Sequence, residues 1–165
     1  MLRITILSVF ICLGLSAVSA QVAPSFSRYG VPVERKSARS IDFRRSPGAS
    51  SFRTRISSAF REPVNFAGHY ILTGWGCGTG CIYSAIIDVR DGRVYFPMQL
   101  AGLGVAYNDT EYEEDPLVYR KNSRLLILKG SPGVMDNEAD KPTGTYYYEW
   151  NGNRLRLVRF VGKKD

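Results

Sequence analysis

The chain has 165 residues, of which 44% are hydrophobic and 22% are charged, and its formal net charge is +7. This length predicts one domain with a core of its own and excludes a chain of several large domains. After the first 20 residues, no apolar stretch is long enough to cross a bilayer as a helix.

The first 20 residues have the parts of a secretory signal peptide. Arg3 supplies a positive charge, residues 4–15 are apolar, and Val18 and Ala20 occupy the −3 and −1 positions of a cleavage site. Cys12 is not preceded by the small residue that a lipoprotein signal requires, so lipid anchoring is not predicted. We expect a periplasmic or secreted protein that is cleaved near Ala20. A retained N-terminal anchor is the less favoured alternative.

Residues 21–49 are rich in serine, proline, glycine and arginine and lack a sustained hydrophobic period. This pattern predicts a basic, loosely packed arm, dispensable for folding as far as about Ser50. The leader contains one of the 22 basic residues and none of the 15 acidic ones, so the rest of the chain carries +6. Such a charge would suit an anionic partner. Export argues against nucleic acid, and a solvated arm is favoured over one that contacts a membrane.

Residues 50–165 are predicted to form a single β-rich domain with one short helix at its start. Ser50 or Ser51 is expected to cap this helix, and Pro63 follows its end. Its apolar face would consist of Phe52, Ile56, Ala59 and Phe60.

The remaining pattern predicts a mainly β fold, an antiparallel sheet of about seven strands built from hairpins. A strand at 70–73 leads into a glycine run. Turn signals then separate paired β-rich segments at 82–89 and 93–96, at 117–120 and 124–128, and at 144–150 and 154–161. In the last strand, Leu155, Leu157 and Val161 are expected to face the core while arginines face water.

Cys77 and Cys81 are the only cysteines outside the leader, and glycines alternate with other residues around them. In an oxidising compartment this spacing predicts a small disulfide ring that holds a turn. Two alternatives stay open, a redox-active pair and a metal site. The β-rich sequence after Cys81 argues against the first, because a redox thiol pair usually lies at a helix start.

His69 is the only histidine of the chain and precedes Cys77 by eight residues. A catalytic set of His69, Cys77 and Cys81, with Asp88 orienting the imidazole, would suit a hydrolase or a thiol-disulfide enzyme. A zinc site of the same residues has suitable ligand types but an uncommon spacing. A structural histidine is the favoured interpretation. No cofactor is predicted.

Aromatic residues suggest a contact surface near the cysteines and on a later strand. The candidates for this surface are His69, Tyr70, Trp75, Tyr83, Tyr146, Tyr148 and Trp150. Two acidic stretches, at 109–115 and 136–140, are interpreted as solvated loops rather than as a cation site, because the glycine that an EF-hand needs is missing from the first.

Four segments together resemble a family of small exported bacterial proteins that has no established activity. They are the run from Asn65 to Tyr70, the run from Trp75 to Cys81, and the two pieces 86–88 and 92–95. The segments at 123–126 and 144–150 fit the same resemblance, which covers roughly residues 50–160. It implies no substrate, and it directs attention to residues 65–81.

The function predicted from the sequence is that of an exported binding or inhibitory protein. Its disulfide-pinned, glycine-rich loop and the nearby aromatic residues would contact a protein, a glycan or an envelope component. An enzyme centred on His69 and the cysteines is the alternative. The sequence predicts neither the ligand nor the oligomeric state.

Overall fold

The computed structural model describes residues 22–105, 115–135 and 141–163. It confirms a mainly β, antiparallel fold in which one short helix precedes all the strands. The helix is α1 (Arg53–Ala59). The eight strands are β1 (Tyr70–Gly78), β2 (Cys81–Asp88), β3 (Val94–Tyr95), β4 (Leu103–Gly104), β5 (Leu117–Tyr119), β6 (Leu125–Pro132), β7 (Gly144–Trp150) and β8 (Leu155–Gly162). In the described part of the chain, no helix has the length and apolar character that crossing a membrane requires.

The sheet runs in the order β1-β2-β4-β6-β7-β8, and two short strands pair beside this path. All three predicted hairpins are present, because β2 pairs with β3, β5 with β6, and β7 with β8. β2 pairs with β3 and β4, and β6 pairs with β4 and β5, so β4 joins β2 to β6. A fourth hairpin, β1 with β2, contains the glycine run, which is therefore strand rather than loop.

The β1–β2 hairpin has a hydrophobic cluster on each of its faces. Leu72 and Ile86 face a cluster that includes Leu126 of β6, Tyr148 and Trp150 of β7. The residues that alternate with them face a second cluster, formed with α1 and containing Ile56, Phe60, Ile71, Trp75, Ala85 and Ile87. Side chains of successive strand residues point to opposite faces, so one hairpin contributes side chains to a hydrophobic cluster on each of its faces.

The predicted apolar face of the helix is confirmed, but its predicted cap is not. Ile56, Ala59 and Phe60 are buried and Phe52 is half-buried. A 3₁₀ turn at Ala49–Phe52 precedes α1, so Phe52 occupies the N-cap position and makes no side-chain capping hydrogen bond. Ser50 and Ser51 thus lie in the 3₁₀ turn rather than at the α-helix boundary.

The predicted core face of the last strand is wrong beyond Leu155. Leu155 is buried, whereas Leu157 and Val161 are 50% and 39% exposed. The β7–β8 register shifts between Tyr147 and Tyr148, because an extra residue is inserted on the β8 side. This bulge follows Leu157, so it turns Val161 away from the core face, whereas Leu157 is exposed although it pairs with the buried Tyr148. β8 also ends the sheet path, so its outward side chains meet no further strand.

Residues 31–49 pack on the domain instead of extending from it. The backbone N–H groups of Glu34 and Ala38 donate to the carbonyl oxygens of Gly68 (2.8 Å) and Val89 (2.9 Å). Ala49 is fully buried in the cluster beside α1. These contacts hold residues 31–49 along the sheet, which differs from the loosely packed arm that the sequence pattern predicts.

Candidate functional site

The tip of the β1–β2 hairpin is closed by a disulfide bond between Cys77 and Cys81, whose Cα atoms are 5.2 Å apart. Gly78 pairs with Cys81 across the turn, after a register shift between Gly76 and Gly78. Gly80 has φ +64°, in the left-handed region that glycine adopts without steric cost. The glycines therefore permit the tight turn, and the predicted disulfide is present.

Four aromatic rings cluster on the face of the hairpin that carries the disulfide. Trp75 and Tyr83 face each other across the strands at 5.4 Å between ring centroids, and Phe52 lies 4.8 Å from Trp75 and 5.3 Å from Tyr83. Phe96 completes the group at 6.1 Å from Tyr83. We call Phe52, Trp75, Tyr83 and Phe96 the aromatic cluster. Trp75 is 9% exposed and the other three rings are half-buried, so the cluster reaches the surface.

A positive charge lies over this cluster. The guanidinium carbon of Arg55, on α1, is 5.9 Å from the centre of the Trp75 ring. A guanidinium over an indole face is held by the negative charge of the π-system while its N–H groups remain able to donate. Arg55 is itself exposed. Cys81 and Tyr83 are two residues apart on β2 and so share a face of the strand, and we call the disulfide, the aromatic cluster and Arg55 together the hairpin patch.

Two positions of β1 at the hairpin tip, Gly76 and Gly78, are exposed and carry no side chain. A Cβ atom built on Gly76 or Gly78 would meet no atom within 4 Å. Beside them, Gly74 lies against Ser84, whose buried hydroxyl has no hydrogen-bond partner in the described part of the chain. The tip therefore exposes main chain along β1, the end strand of the sheet path, whereas its β2 side is held in the sheet, because Cys81 and Ile82 pair with β4 and the N–H of Val105 donates to the carbonyl oxygen of Gly80.

Four of the residues predicted to form a contact surface are in the core. Tyr70, Tyr146, Tyr148 and Trp150 are at most 4% exposed, and all four belong to the cluster between β1–β2 and β6–β8. The alternation of β7 points Tyr146, Tyr148 and Trp150 inward together. Burial raises the pKa of the Tyr70 hydroxyl to about 12. Of the predicted residues, only Trp75 and Tyr83 belong to the hairpin patch.

His69 lies just before β1, between two carboxylates. Its Nδ1 is 3.3 Å from Oε1 of Glu34, and its Nε2 is 3.8 Å from Oδ2 of Asp88, which is beyond hydrogen-bond length. Asp88 is held by Arg90 at 3.1 Å. Burial lowers the pKa of the imidazole, although the negative charge of Asp88 opposes this. His69 therefore lies between Glu34 of the N-terminal segment and Asp88 of β2, which agrees with the structural role that the sequence favours for it.

The structure does not bring together the residues of the catalytic and metal alternatives, His69, Cys77 and Cys81. Both sulfur atoms are bonded to each other, so neither can attack a substrate or ligate zinc as a thiolate. His69 and Cys77 lie at opposite ends of β1, about 26 Å apart at the usual rise per strand residue. Within residues 22–105, 115–135 and 141–163, no three His, Cys, Asp or Glu side chains are grouped closely enough to hold a metal ion.

Two members of the hairpin patch, Phe52 and Phe96, were predicted only as parts of a helix face and a strand. Their spacing gave a burial signal, but their approach to Trp75 and Tyr83 depends on the packing of α1 over the sheet. The acidic stretch 109–115, apart from Asp115, and the stretch 136–140 lie outside the described residues.

Comparison with known proteins adds no relative: no family model, no curated protein and no solved structure matches the chain. The resemblance to a family of small exported proteins therefore stays a prediction.

Proposed function

We propose that this protein is an exported binding protein whose hairpin patch contacts a macromolecular partner. The observation that carries the proposal is that the Cys77–Cys81 ring, the half-buried rings and an exposed arginine lie on one face of the β1–β2 hairpin. Aromatic and arginine side chains are the residue types that most often dominate binding energy at protein interfaces.

Rigidity supports this assignment. The turn is fixed twice, by the disulfide and by the backbone pairing of Trp75 with Tyr83 and of Gly76 with Ile82. Phe52 packs on both ring partners and ties the hairpin to the segment that leads into α1. A surface that is already ordered loses little conformational entropy when it binds, so a small patch can bind with useful affinity.

The exposed β1 side of the tip favours a partner that approaches the main chain closely. The glycine backbone at Gly76 and Gly78 carries no side chains, so that face can approach another surface closely. A disulfide-closed strand end of this kind suits an inhibitor of another protein, as well as a receptor for a glycan or an envelope component. The proposed compartment, periplasm or exterior, provides the oxidising conditions under which the disulfide persists.

The enzyme alternative has no support from a specific contact. The disulfide occupies both thiols, and His69 is separated from them by the length of β1.

Site-specific photo-crosslinking in the organism that produces the protein tests the proposal. A photoreactive amino acid at Thr79, exposed at the hairpin tip, should give a discrete crosslinked product that mass spectrometry identifies. The same amino acid at Asn153, exposed in the β7–β8 turn, is the matched control and should not give that product. Identical products from both positions, or none from Thr79, would contradict the proposal.

A further inference from the structure

A second concave surface lies near the other end of the β1–β2 hairpin, where the N-terminal segment crosses the turn that follows β2. Residues 38–44 form one wall, and Arg53, Arg90 and Asp91 complete the lining of a cleft of about 610 Å³. This volume is in the range of known small-ligand sites. The disulfide is a strand length away, at the other end of β2, although Phe52 of the hairpin patch directly precedes Arg53 of the cleft. We call this surface the arginine cleft.

The acidic side chains that line the arginine cleft are already engaged. Asp42 binds the side chain of Arg45 at 2.6 Å and accepts hydrogen bonds from the backbone N–H groups of Arg44 and Arg45. Asp91 binds Arg93 at 3.2 Å. Arg45 and Arg93 are not part of the lining, so both lining carboxylates are neutralised from outside the cleft.

The cationic side chains of the cleft are not balanced in the same way. Four arginines line it, and one of these, Arg90, is bound to Asp88 at 3.1 Å. Within the described residues, the other three, Arg39, Arg44 and Arg53, make no ion pair with a carboxylate. The cleft therefore carries an excess of positive charge that an anionic ligand would neutralise.

The walls of the cleft are held in place before any ligand arrives. The backbone N–H of Asp42 donates to the carbonyl oxygen of Gly92 at 2.8 Å. Ser46 is buried; its hydroxyl donates to the carbonyl oxygen of Asp42 at 2.6 Å and accepts from the N–H of Val94 at 2.9 Å. Gly92 approaches the opposite wall so closely that a Cβ there would lie 2.2 Å from the carbonyl oxygen of Ser40.

One of the three unbalanced arginines is also positioned by an aromatic ring. The guanidinium carbon of Arg53 lies 3.9 Å from the centre of the Phe43 ring. Stacking on the ring face orients the planar guanidinium and leaves its N–H edge able to donate to a ligand. Arg53 thus comes from the start of α1, while Arg39 and Arg44 come from the N-terminal segment, so donors approach from two sides.

We propose that the arginine cleft binds a phosphate-bearing ligand. A phosphate group offers oxygen acceptors in several directions and up to two negative charges, which matches guanidinium groups supplied from two separate elements. A planar carboxylate satisfies one guanidinium fork but not donors on different walls. The phosphate belongs either to a soluble compound or to a lipid headgroup, and the experiment separates these sources.

Isothermal titration of the full mature chain with pyrophosphate, in buffer of low ionic strength, tests the site. The double variant Arg39→Gln/Arg44→Gln should bind at least about tenfold more weakly, because it loses two charge-assisted contacts. The matched control is Arg61→Gln/Arg154→Gln, which removes the same charge from two exposed positions outside the cleft and should bind within about twofold of the unmodified protein. Circular dichroism establishes that both variants are folded.

Vesicles then identify the source of the phosphate. Sedimentation with phosphatidylglycerol vesicles that depends on Arg39 and Arg44 and is displaced by pyrophosphate supports a lipid headgroup, whereas pyrophosphate binding without sedimentation supports a soluble ligand. Three results would overturn the proposal: no heat of binding at millimolar pyrophosphate, equal weakening in the control variant, or citrate binding as tightly as pyrophosphate. Replacement of Cys77 and Cys81 by serine, a strand length from the cleft, leaves this assay unchanged, so its outcome is independent of the proposed function.

Discussion

Replacement of Cys77 and Cys81 by serine should destabilise the protein modestly and leave its fold intact. The two residues are separated by four positions, so the bond closes one of the smallest loops that a disulfide can close. The loop-entropy relation gives about 2 kcal/mol for a ring of this size. The cross-strand pairs on either side of the ring, and the two clusters that the hairpin separates, do not depend on the bond.

Urea denaturation followed by far-UV circular dichroism measures this loss. We expect a decrease of about 1–3 kcal/mol in the free energy of unfolding, an unchanged native spectrum, and a melting temperature lower by roughly 4–8 °C. Dithiothreitol should lower the stability of the unmodified protein by the same amount and have no effect on the double serine variant. That comparison separates loss of the bond from any effect of the serine side chains.

Two results would refute this reasoning. A loss well above about 4 kcal/mol, or a non-cooperative transition, would mean that the ring holds the fold together instead of one turn. No change in stability would mean that the glycine turn is already as restricted without the bond as with it.

Three further predictions concern His69, two glycines and the N-terminal segment. Because burial holds the pKa of His69 below its ordinary value of 6.5, the unfolded chain protonates first, so stability should fall as pH decreases below about 6.5. The chain has no other histidine, so His69→Gln should flatten the stability curve between pH 7 and 5.5. Gly92→Ala should cost at least about 2 kcal/mol in urea denaturation, because φ is +77° and a Cβ would strike the carbonyl of Ser40, whereas Gly76→Ala, in open space, should cost under about 1 kcal/mol. A chain beginning at Ser50 should melt far less cooperatively than the mature chain, since it lacks the hydrogen bonds to the sheet, and an unchanged melt would restore the interpretation as a dispensable arm.

The hairpins could be predicted because each depends on local signals. Asp91-Gly92 and Asn151-Gly152 mark turns between β-rich segments, and the structure has a turn at each pair. β4 could not be predicted, because it has two residues and exists only by pairing with β2 and β6. The sequence also does not predict that the glycine run is a strand, because glycine weakens strands. Here the strand is stabilised by its pairing with β2 and by the buried side chain of Trp75.

The site could be predicted only in part, for a similar reason. Two cysteines in a glycine-rich segment indicate a ring from local sequence, whereas the neighbours of the ring depend on the fold. Alternation along β7 is enough to bury Tyr146 and Tyr148, but the face that points inward is set by the β6–β7 register. The N-terminal segment gave no periodic signal, because it is held mainly by backbone hydrogen bonds, which leave no pattern of side chains in the sequence.

The affinity of the partner captured at Thr79 tests the central claim most directly. Arg55 and Arg61 are both exposed and lie in or just after α1, but of these two guanidinium groups only that of Arg55 lies over the Trp75 ring. Arg55→Ala should weaken binding at least about tenfold, as the loss of a central arginine does at an interface, and Arg61→Ala should leave the dissociation constant within about twofold. Equal dissociation constants for the two variants would contradict the assignment of the hairpin patch as the binding surface.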